Sequence, residues 1–195
     1  MGSKKSGASV FKEWQPEYRE NIRNTLCWKE NDMSSRLSRA QIGFYTGVQM
    51  ILISECLAGV PCRMDGKSKI IPEMKALVAS GQAICACPEV LGGLPTPREP
   101  SEKCGDRVIN RAGKDVTAEF EKGAEEALRI FRQNKCTMAV LKSKSPSCGS
   151  GMIHNGLFDG GLIPGNGVCA KLFLDEGIEV ITEQEYLRRY AEEKD

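Results

Sequence analysis

The sequence predicts an α/β fold, a three-layer sandwich in which helices cover both faces of a mainly parallel sheet. Short apolar runs typical of buried strands alternate with segments of helical periodicity from residue 51 onwards. Loops rich in glycine, proline or polar residues separate these segments. The chain also has the 41% apolar and 27% charged residues of a globular protein. We expect the α/β domain to span residues 50–195.

The strands and helices of this domain are predicted in an alternating order. The predicted strands lie at 51–54, 83–86, 137–141 and 178–181, and the predicted helices at 72–80, 115–135, 167–176 and after residue 182. Asp115 is expected to cap the second helix, along which apolar residues recur at helical spacing from Val116 to Phe131. This pattern places the apolar side of that helix against the sheet.

The connections carry their own signals. A long proline-rich loop is expected after the second strand. The segment MIHNGLFDGGLI resembles a hairpin with a two-residue turn at Asn155 and Gly156. Thr182 and Glu185 have the spacing of a capping box, which predicts the start of the last helix.

Residues 1–49 differ from the rest of the chain and are interpreted as an N-terminal extension, partly helical or disordered. Tyr18, Ile22 and Leu26 share one helical face. The extension carries eight Lys/Arg against five Asp/Glu, whereas the remainder of the chain has a net charge of −2. An RNA-holding arm is a second interpretation, but nothing in the sequence directly supports binding to tRNA.

The cysteine content and the absence of long apolar runs predict a cytoplasmic protein with reduced thiols. No apolar run approaches the ~20 residues needed to span a bilayer, and the basic start lacks the apolar stretch of a secretory signal. No membrane association is expected. Nine cysteines, an odd number, do not suggest a disulfide framework. Reduced cysteines in loops are more often metal ligands or reactive thiols.

Three cysteines follow predicted strands of the sheet. Cys56 follows ILIS, Cys87 follows AICA, and Cys148 follows TMAVL after a short Ser/Gly/Pro loop. Parallel sheets bind ligands beyond the carboxyl ends of their strands, so we expect these three thiols to meet at one edge. We interpret them as candidate metal ligands.

The cysteine pattern leaves the nature of this site open. Three thiolates suit an iron–sulfur cluster with one iron free of protein ligands. A zinc site, redox-active thiols and ordinary buried cysteines are the alternatives, although the chain has no C-x-x-C pair typical of structural zinc. The single histidine, His154, is expected to be solvated in a hairpin, and one histidine excludes an H-E-x-x-H zinc site.

Several polar residues lie near the predicted edge, each with a simpler structural interpretation. Glu89, two residues after Cys87, is either a carboxylate at the metal site or a solvated acid. Ser145 is either a site residue or the cap of a local turn. Arg98 holds an anion or fixes its loop, Asp65 is most simply a turn residue, and Cys62 is a competing ligand.

Four stretches together identify a family. The segments ILISECLAGVPCRMDGKSK, CPEVLGGLPTPREP, DVTAEFEKGAEEAL and LKSKSPSCGSGMIHNG resemble, in the same order, those of the thiouracil desulfurase family. The resemblance covers residues 51 to about 182. It implies a Rossmann-like domain that binds a [4Fe–4S] cluster through Cys56, Cys87 and Cys148, and it places the catalytic glutamate and serine at Glu89 and Ser145.

The resemblance also implies a reaction without net electron transfer. A small thiolated pyrimidine, 2- or 4-thiouracil or 4-thiouridine, would bind the open iron through its sulfur, and water would attack the carbon to release sulfide. Glu55 and Met64 depart from the residues expected at their positions and bear on substrate fit. The alternatives are a cluster-containing sulfide or electron carrier and a zinc-stabilised binding module.

Overall fold

A four-stranded parallel sheet forms the centre of the protein in a computed structural model, which describes residues 49–191. Its strands are β1 (Ile51–Ser54), β2 (Ala83–Ala86), β5 (Met138–Leu141) and β8 (Glu179–Thr182), in the spatial order β2-β1-β5-β8. Residues 49–191 also contain two antiparallel hairpins, β3 (Ser101–Cys104) with β4 (Arg107–Asn110) and β6 (Met152–His154) with β7 (Leu162–Pro164). The four predicted strands of the sheet are confirmed to within one residue.

Helices pack on both faces of this sheet. They are α1 (Pro72–Ala79), α2 (Pro88–Leu91), α3 (Thr117–Gln133), α4 (Val168–Asp175) and α5 (Glu183–Ala191), and a 3₁₀ turn, Glu55–Ala58, follows β1. Successive side chains of a strand point to opposite faces. Leu52 belongs to a core with α3 and with Phe173 of α4, whereas Ile53 belongs to another with Met74 of α1 and Tyr186 of α5. The three-layer α/β sandwich is therefore confirmed.

The helices begin where the sequence predicts. Apolar residues of α3 from Phe120 to Phe131 are buried along one face, and Asp115 Oδ1 accepts a hydrogen bond of 2.9 Å from the backbone N of Thr117. At the start of α5, Thr182 Oγ1 accepts the backbone N of Glu185 at 3.2 Å. Only this half of the predicted capping box carries a described bond, because the Glu185 carboxylate pairs with arginines of α5 instead.

The proline-rich segment after β2 is more ordered than the sequence predicts. It contains α2 and the β3–β4 hairpin, whose four paired positions run from Ser101–Asn110 to Cys104–Arg107. These strands, SEKC and RVIN, are short and mostly polar, so they lack the apolar alternation by which strands are recognised. Ordered structure here fixes the segment that carries Glu89 and Arg98.

The predicted turn at Asn155 and Gly156 is wrong, although the hairpin itself is present. The β6–β7 pairs run from Met152–Pro164 to His154–Leu162, which leaves a seven-residue connection at 155–161. The backbone N–H groups of Gly156 and Phe158 donate to Glu102 Oε2 of β3 at 2.9 and 3.0 Å. These long-range hydrogen bonds hold the connection in a wider turn, so the local preference of Asn-Gly for a two-residue turn does not determine its length.

The predicted N-terminal extension at residues 1–49 lies, apart from its last residue, outside the described residues. Within residues 49–191, no helix is both long enough and apolar enough to cross a membrane.

Candidate active site

The strand order places a topological switch point at the carboxyl ends of β1 and β5. The chain leaves β1 for β2 on one side and later returns to β5 on the other, so the loops after β1 and β5 diverge at this point. The two ends are joined by a hydrogen bond of 2.9 Å from the backbone N of Lys142 to Ser54 Oγ. Ligands of open α/β sheets bind at such a position.

Cys56 lies in the 3₁₀ turn directly after β1 and is buried. Its backbone O accepts the backbone N of Lys69 at 2.9 Å, which folds the 59–71 loop back over it. A hydrogen bond from the Cys62 thiol lowers the pKa of Cys56; burial opposes this effect, and the charges of Lys142 and Arg63 reinforce it. The surroundings of Cys56 therefore favour a thiolate.

Cys87 and Glu89 lie on either side of Pro88, where β2 ends and α2 begins. Helix α2 touches α3 through two glycines: a Cβ at Gly92 would lie 1.8 Å from Glu119 O, and a Cβ at Gly123 would lie 1.8 Å from Pro88 O. No side chain fits in this contact. This backbone-to-backbone packing fixes the position of α2 relative to α3, and with it the position of Glu89.

Arg98 holds the Glu89 carboxylate. Its Nε donates to Glu89 Oε2 at 2.7 Å, and the side chains of Arg98 and Glu89 are 6% and 16% exposed. Nη2 donates to Cys62 O at 3.0 Å, and Nη1 donates to Pro95 O and Thr96 Oγ1 at 3.1 Å each. Burial disfavours the charged form of Arg98, but the Glu89 carboxylate outweighs this effect and raises the pKa of the arginine. Arg98 thus both fixes its loop and holds an anionic side chain.

Ser145 and Cys148 share a tight turn after β5. Ser145 Oγ accepts the backbone N–H groups of Ser147 and Cys148 at 3.1 Å each, so the structural role foreseen for this serine is present. The turn packs on the start of α4, where Cys169 N donates to Ser147 O at 2.9 Å. Lys144, the residue before Ser145, has a positive φ of 65°. The hydrogen bonds of Ser145 and the contact between Ser147 and α4 therefore hold the 144–148 loop in one conformation.

The structure brings the three predicted ligands into one neighbourhood. Cys148 is buried, and burial raises its pKa well above the usual range, with smaller contributions from Cys169, Cys87 and Cys56. Cys62 packs in one core cluster with Cys56 and Cys87, and the Cys87 thiol lies 3.8 Å from Cys62 O, so this competing residue also lies at the site. Within residues 49–191 no three Cys, His, Asp or Glu side chains are grouped to hold a single metal ion.

The other described cysteines lie apart from this group or in the core. All eight cysteines of residues 49–191 are free. Burial raises the pKa of Cys136 and of Cys85 to about 12, while Cys169 is inaccessible. Cys104 Sγ donates to Gly156 O at 3.4 Å. Buried thiols of this kind behave as small apolar residues of the core.

The structure defines the surroundings of Asp65 and His154, two polar residues singled out from the sequence. Asp65 Oδ1 accepts the backbone N of Lys67 at 3.1 Å, as expected of a turn residue. His154 ends β6 and is only half-exposed, and its Nδ1 is buried without a hydrogen-bond partner among residues 49–191. The expectation of a solvated histidine is therefore wrong for this ring nitrogen.

The comparisons with known proteins agree with the motifs. A family model described as 2-thiouracil desulfurase matches residues 51–185. The chain belongs to the 2-thiouracil desulfurase family. It is 40% identical over 146 residues to the uncharacterized protein YbbK of Bacillus subtilis (strain 168), an alignment that spans 70% of this chain and 97% of YbbK. A solved structure named [4Fe-4S]-dependent thiouracil desulfidase TudS is 47% identical, with a TM-score of 0.67, and the match covers 70% of this chain and 92% of TudS.

The family match begins at β1 and ends in the first turn of α5, so the whole candidate site lies inside it. One residue beside the candidate site in this 2-thiouracil desulfurase domain was not predicted from the sequence. Glu183, at the first position of α5, has a side chain only 2% exposed. It accepts Ser143 N at 2.7 Å and Ser143 Oγ at 2.9 Å, and the ammonium groups of Lys69 and Lys142 lie 3.4 and 3.6 Å away.

Glu183 links the two loops that carry Cys56 and Cys148. Lys69 bonds Cys56 O through its backbone N, and Ser143 lies two residues before Ser145. Lys142, which pairs with Glu183, also acts on Cys56, because its charge helps to lower the pKa of that thiol. Glu183 is therefore a positioning residue of the site.

Glu183→Gln is expected to destabilise the cluster-free protein in a pH-dependent way. Burial opposes the charge of Glu183, but the bond from Ser143 N and the charge of Lys142 hold its pKa below the usual value of 4.5. An acid whose pKa is lower in the folded than in the unfolded state stabilises the fold at pH values above the unfolded-state pKa. This stabilisation is lost as the pH falls through the folded-state pKa. Because Lys69 and Lys142 are partly exposed, the cost comes mainly from the weakened hydrogen bonds to Ser143 and is expected to be about 1.5–3 kcal/mol.

The measurement is urea unfolding of wild type and variant at pH 7 and again near the acid limit of folding. The difference in unfolding free energy should be largest at pH 7 and should shrink below about pH 4.5. Glu185→Gln, on the same turn, serves as the control and should change little, because Glu185 pairs with the exposed side chains of Arg188 and Arg189. An equal difference at both pH values would contradict the assignment of a buried charge.

Proposed function

We propose that the protein removes sulfur from thiolated pyrimidines of the thiouracil class with a bound [4Fe–4S] cluster. One observation carries the proposal: three thiols from the ends of three strands, Cys56, Cys87 and Cys148, lie in one neighbourhood beside the Glu89 carboxylate. Membership of the 2-thiouracil desulfurase family and the 47% identity to TudS support it.

The residues at the site fit an iron–sulfur cluster. Cys56, Cys87 and Cys148 would be its ligands, and thiolates are the ligands that such clusters take. Ser147 Oγ, next to Cys148, is buried with no hydrogen-bond partner among the described residues. Buried hydroxyl groups normally have a partner, and an anionic bound group would supply an acceptor. When bound, a cluster with three protein ligands supplies an iron that acts as a Lewis acid toward a thiocarbonyl sulfur.

Glu89 is proposed as the general base. Arg98 engages Oε2, and no hydrogen bond between described residues engages Oε1, which leaves this oxygen to orient a water molecule. The water loses a proton to Glu89 as its oxygen bonds to the thiocarbonyl carbon, and the carbon–sulfur bond then breaks. That proton passes from Glu89 to the departing sulfur, and the proton of the newly formed C–OH group follows as the C=O bond forms, so water and thiouracil give uracil and hydrogen sulfide with no oxidant or reductant.

Ser145 is proposed to act as a donor. A hydroxyl group has two acceptor lone pairs and one hydrogen. Both acceptor positions are used by the N–H groups of Ser147 and Cys148, so only the hydrogen remains for Glu89, water or substrate. Ser145 would therefore assist by orienting a partner and would not remove a proton.

The test is anaerobic reconstitution with iron and sulfide, followed by incubation with 2-thiouracil, 4-thiouracil, 4-thiouridine or thiolated tRNA. We expect stoichiometric sulfide and desulfurated base from the small pyrimidines, without a partner protein. Product from tRNA alone would overturn the substrate class. Sulfide exchange without base turnover would favour a carrier, and a colourless zinc protein would favour a binding module.

A further inference from the structure

Arg98 joins the proposed base to the 59–71 loop, which folds over Cys56. Its Nε donates to Glu89 Oε2 at 2.7 Å, and its Nη2 donates to Cys62 O at 3.0 Å. The backbone N of Arg98 also donates to Met64 O at 2.8 Å. One residue therefore holds the carboxylate of the base and two backbone carbonyls of this loop.

The guanidinium group of Arg98 is fixed in its plane. Its Nη1 donates to Pro95 O and Thr96 Oγ1 at 3.1 Å each, so four of the five N–H bonds of the group have acceptors among the described residues. The side chain is only 6% exposed. An ammonium group has no planar fork with which to reach acceptors in these separate directions. The contact therefore requires the shape of arginine and not positive charge alone.

We propose that Arg98 is a positioning residue of the desulfuration reaction, an inference that rests on the proposed function. By holding Oε2 it fixes the Glu89 carboxylate, and this leaves Oε1 in one place for the attacking water. Its bonds to Cys62 O and Met64 O make that place depend on the 59–71 loop, whose Lys69 N bonds Cys56 O. The base and Cys56 are thereby held in one arrangement.

The experiment replaces Arg98 by lysine, which keeps the charge and loses the planar fork. The full chain is reconstituted anaerobically, and iron per chain, kcat and KM for 2-thiouracil are measured. Arg98→Lys should lower kcat by about 10²-fold, since a displacement of about 1 Å at a reacting group has this effect. KM and iron content should remain those of wild type. Arg107→Lys, at a side chain that is 71% exposed, should change none of the three quantities.

A double-mutant cycle separates this role from general damage. If Arg98 acts through Glu89, Arg98→Lys combined with Glu89→Gln should be no slower than Glu89→Gln alone. Losses that multiply would overturn the proposal, as would an unchanged kcat or a raised KM in Arg98→Lys. Loss of iron or of the folded state in Arg98→Lys would show that the arginine maintains the site and does not serve the base, and it would overturn the proposal too.

Failure of the proposed function gives a different result. The wild-type protein would then release no sulfide from 2-thiouracil, or Glu89→Gln would turn over as wild type does. An active wild type, a slow Glu89→Gln variant and multiplying losses in the cycle would remove the role of Arg98 alone.

Discussion

Glu89→Gln is expected to lower the desulfuration rate by about 10²–10⁴-fold while the iron content remains that of wild type. The amide keeps the shape of the carboxylate and can still accept the hydrogen bond of Arg98 Nε, which is 2.7 Å long in the wild type. It cannot take a proton from water, so the loss falls on turnover. The measurement is single-turnover sulfide release from 2-thiouracil together with iron analysis of the same sample.

Glu73→Gln is the matched control for this variant. Glu73 follows Pro72 at the start of α1 as Glu89 follows Pro88 at the start of α2, but its side chain is exposed. Its substitution should leave the rate unchanged. Undiminished turnover in Glu89→Gln would remove the proposed base, whereas a lost cluster would mean that the carboxylate maintains the site and not the reaction.

Replacement of Cys56, Cys87 or Cys148 by alanine is expected to abolish stable cluster binding. With three protein ligands, removal of one leaves two irons without a protein ligand, and such clusters are lost. The iron content of each variant should fall from about four irons per chain to a small remainder, and the variant should lose its visible absorption. All three substitutions remove a small buried or half-buried thiol, so circular dichroism should still report a folded protein.

Cys85→Ala controls for general damage. Cys85 lies two residues before Cys87 on β2, and its thiol is also largely enclosed. This variant should reconstitute as wild type does. Full iron content in any of the three ligand variants would remove that cysteine from the ligand set, and full content in all three would contradict the cluster site.

The sheet could be predicted because its strands carry their own signals. Each strand of the central sheet is a short apolar run flanked by helical segments, and helix α3 shows its buried face as a regular stripe. The β3–β4 hairpin and the 155–161 connection could not be predicted in this way. Glu102, which anchors that connection, is more than fifty residues distant in sequence from the N–H groups it binds.

The site was only partly predictable for the same reason. Cysteines that follow strands can be placed at one edge from the topology alone. Glu183 gave no such signal, since it reads as an ordinary acid in the first turn of a helix and its burial depends on a contact with Ser143 forty residues away. The position of Cys62 beside Cys56 and Cys87 likewise depends on how its loop folds over Cys56.

Mössbauer spectroscopy of the anaerobically reconstituted, iron-57-labelled protein tests most directly whether three cysteines hold a cluster with one open iron. The account predicts about four irons per chain, three of one kind and one distinct, with only the distinct iron changing on addition of 2-thiouracil. Four equivalent irons that do not respond to 2-thiouracil, or a protein that takes up zinc in place of iron, would contradict it.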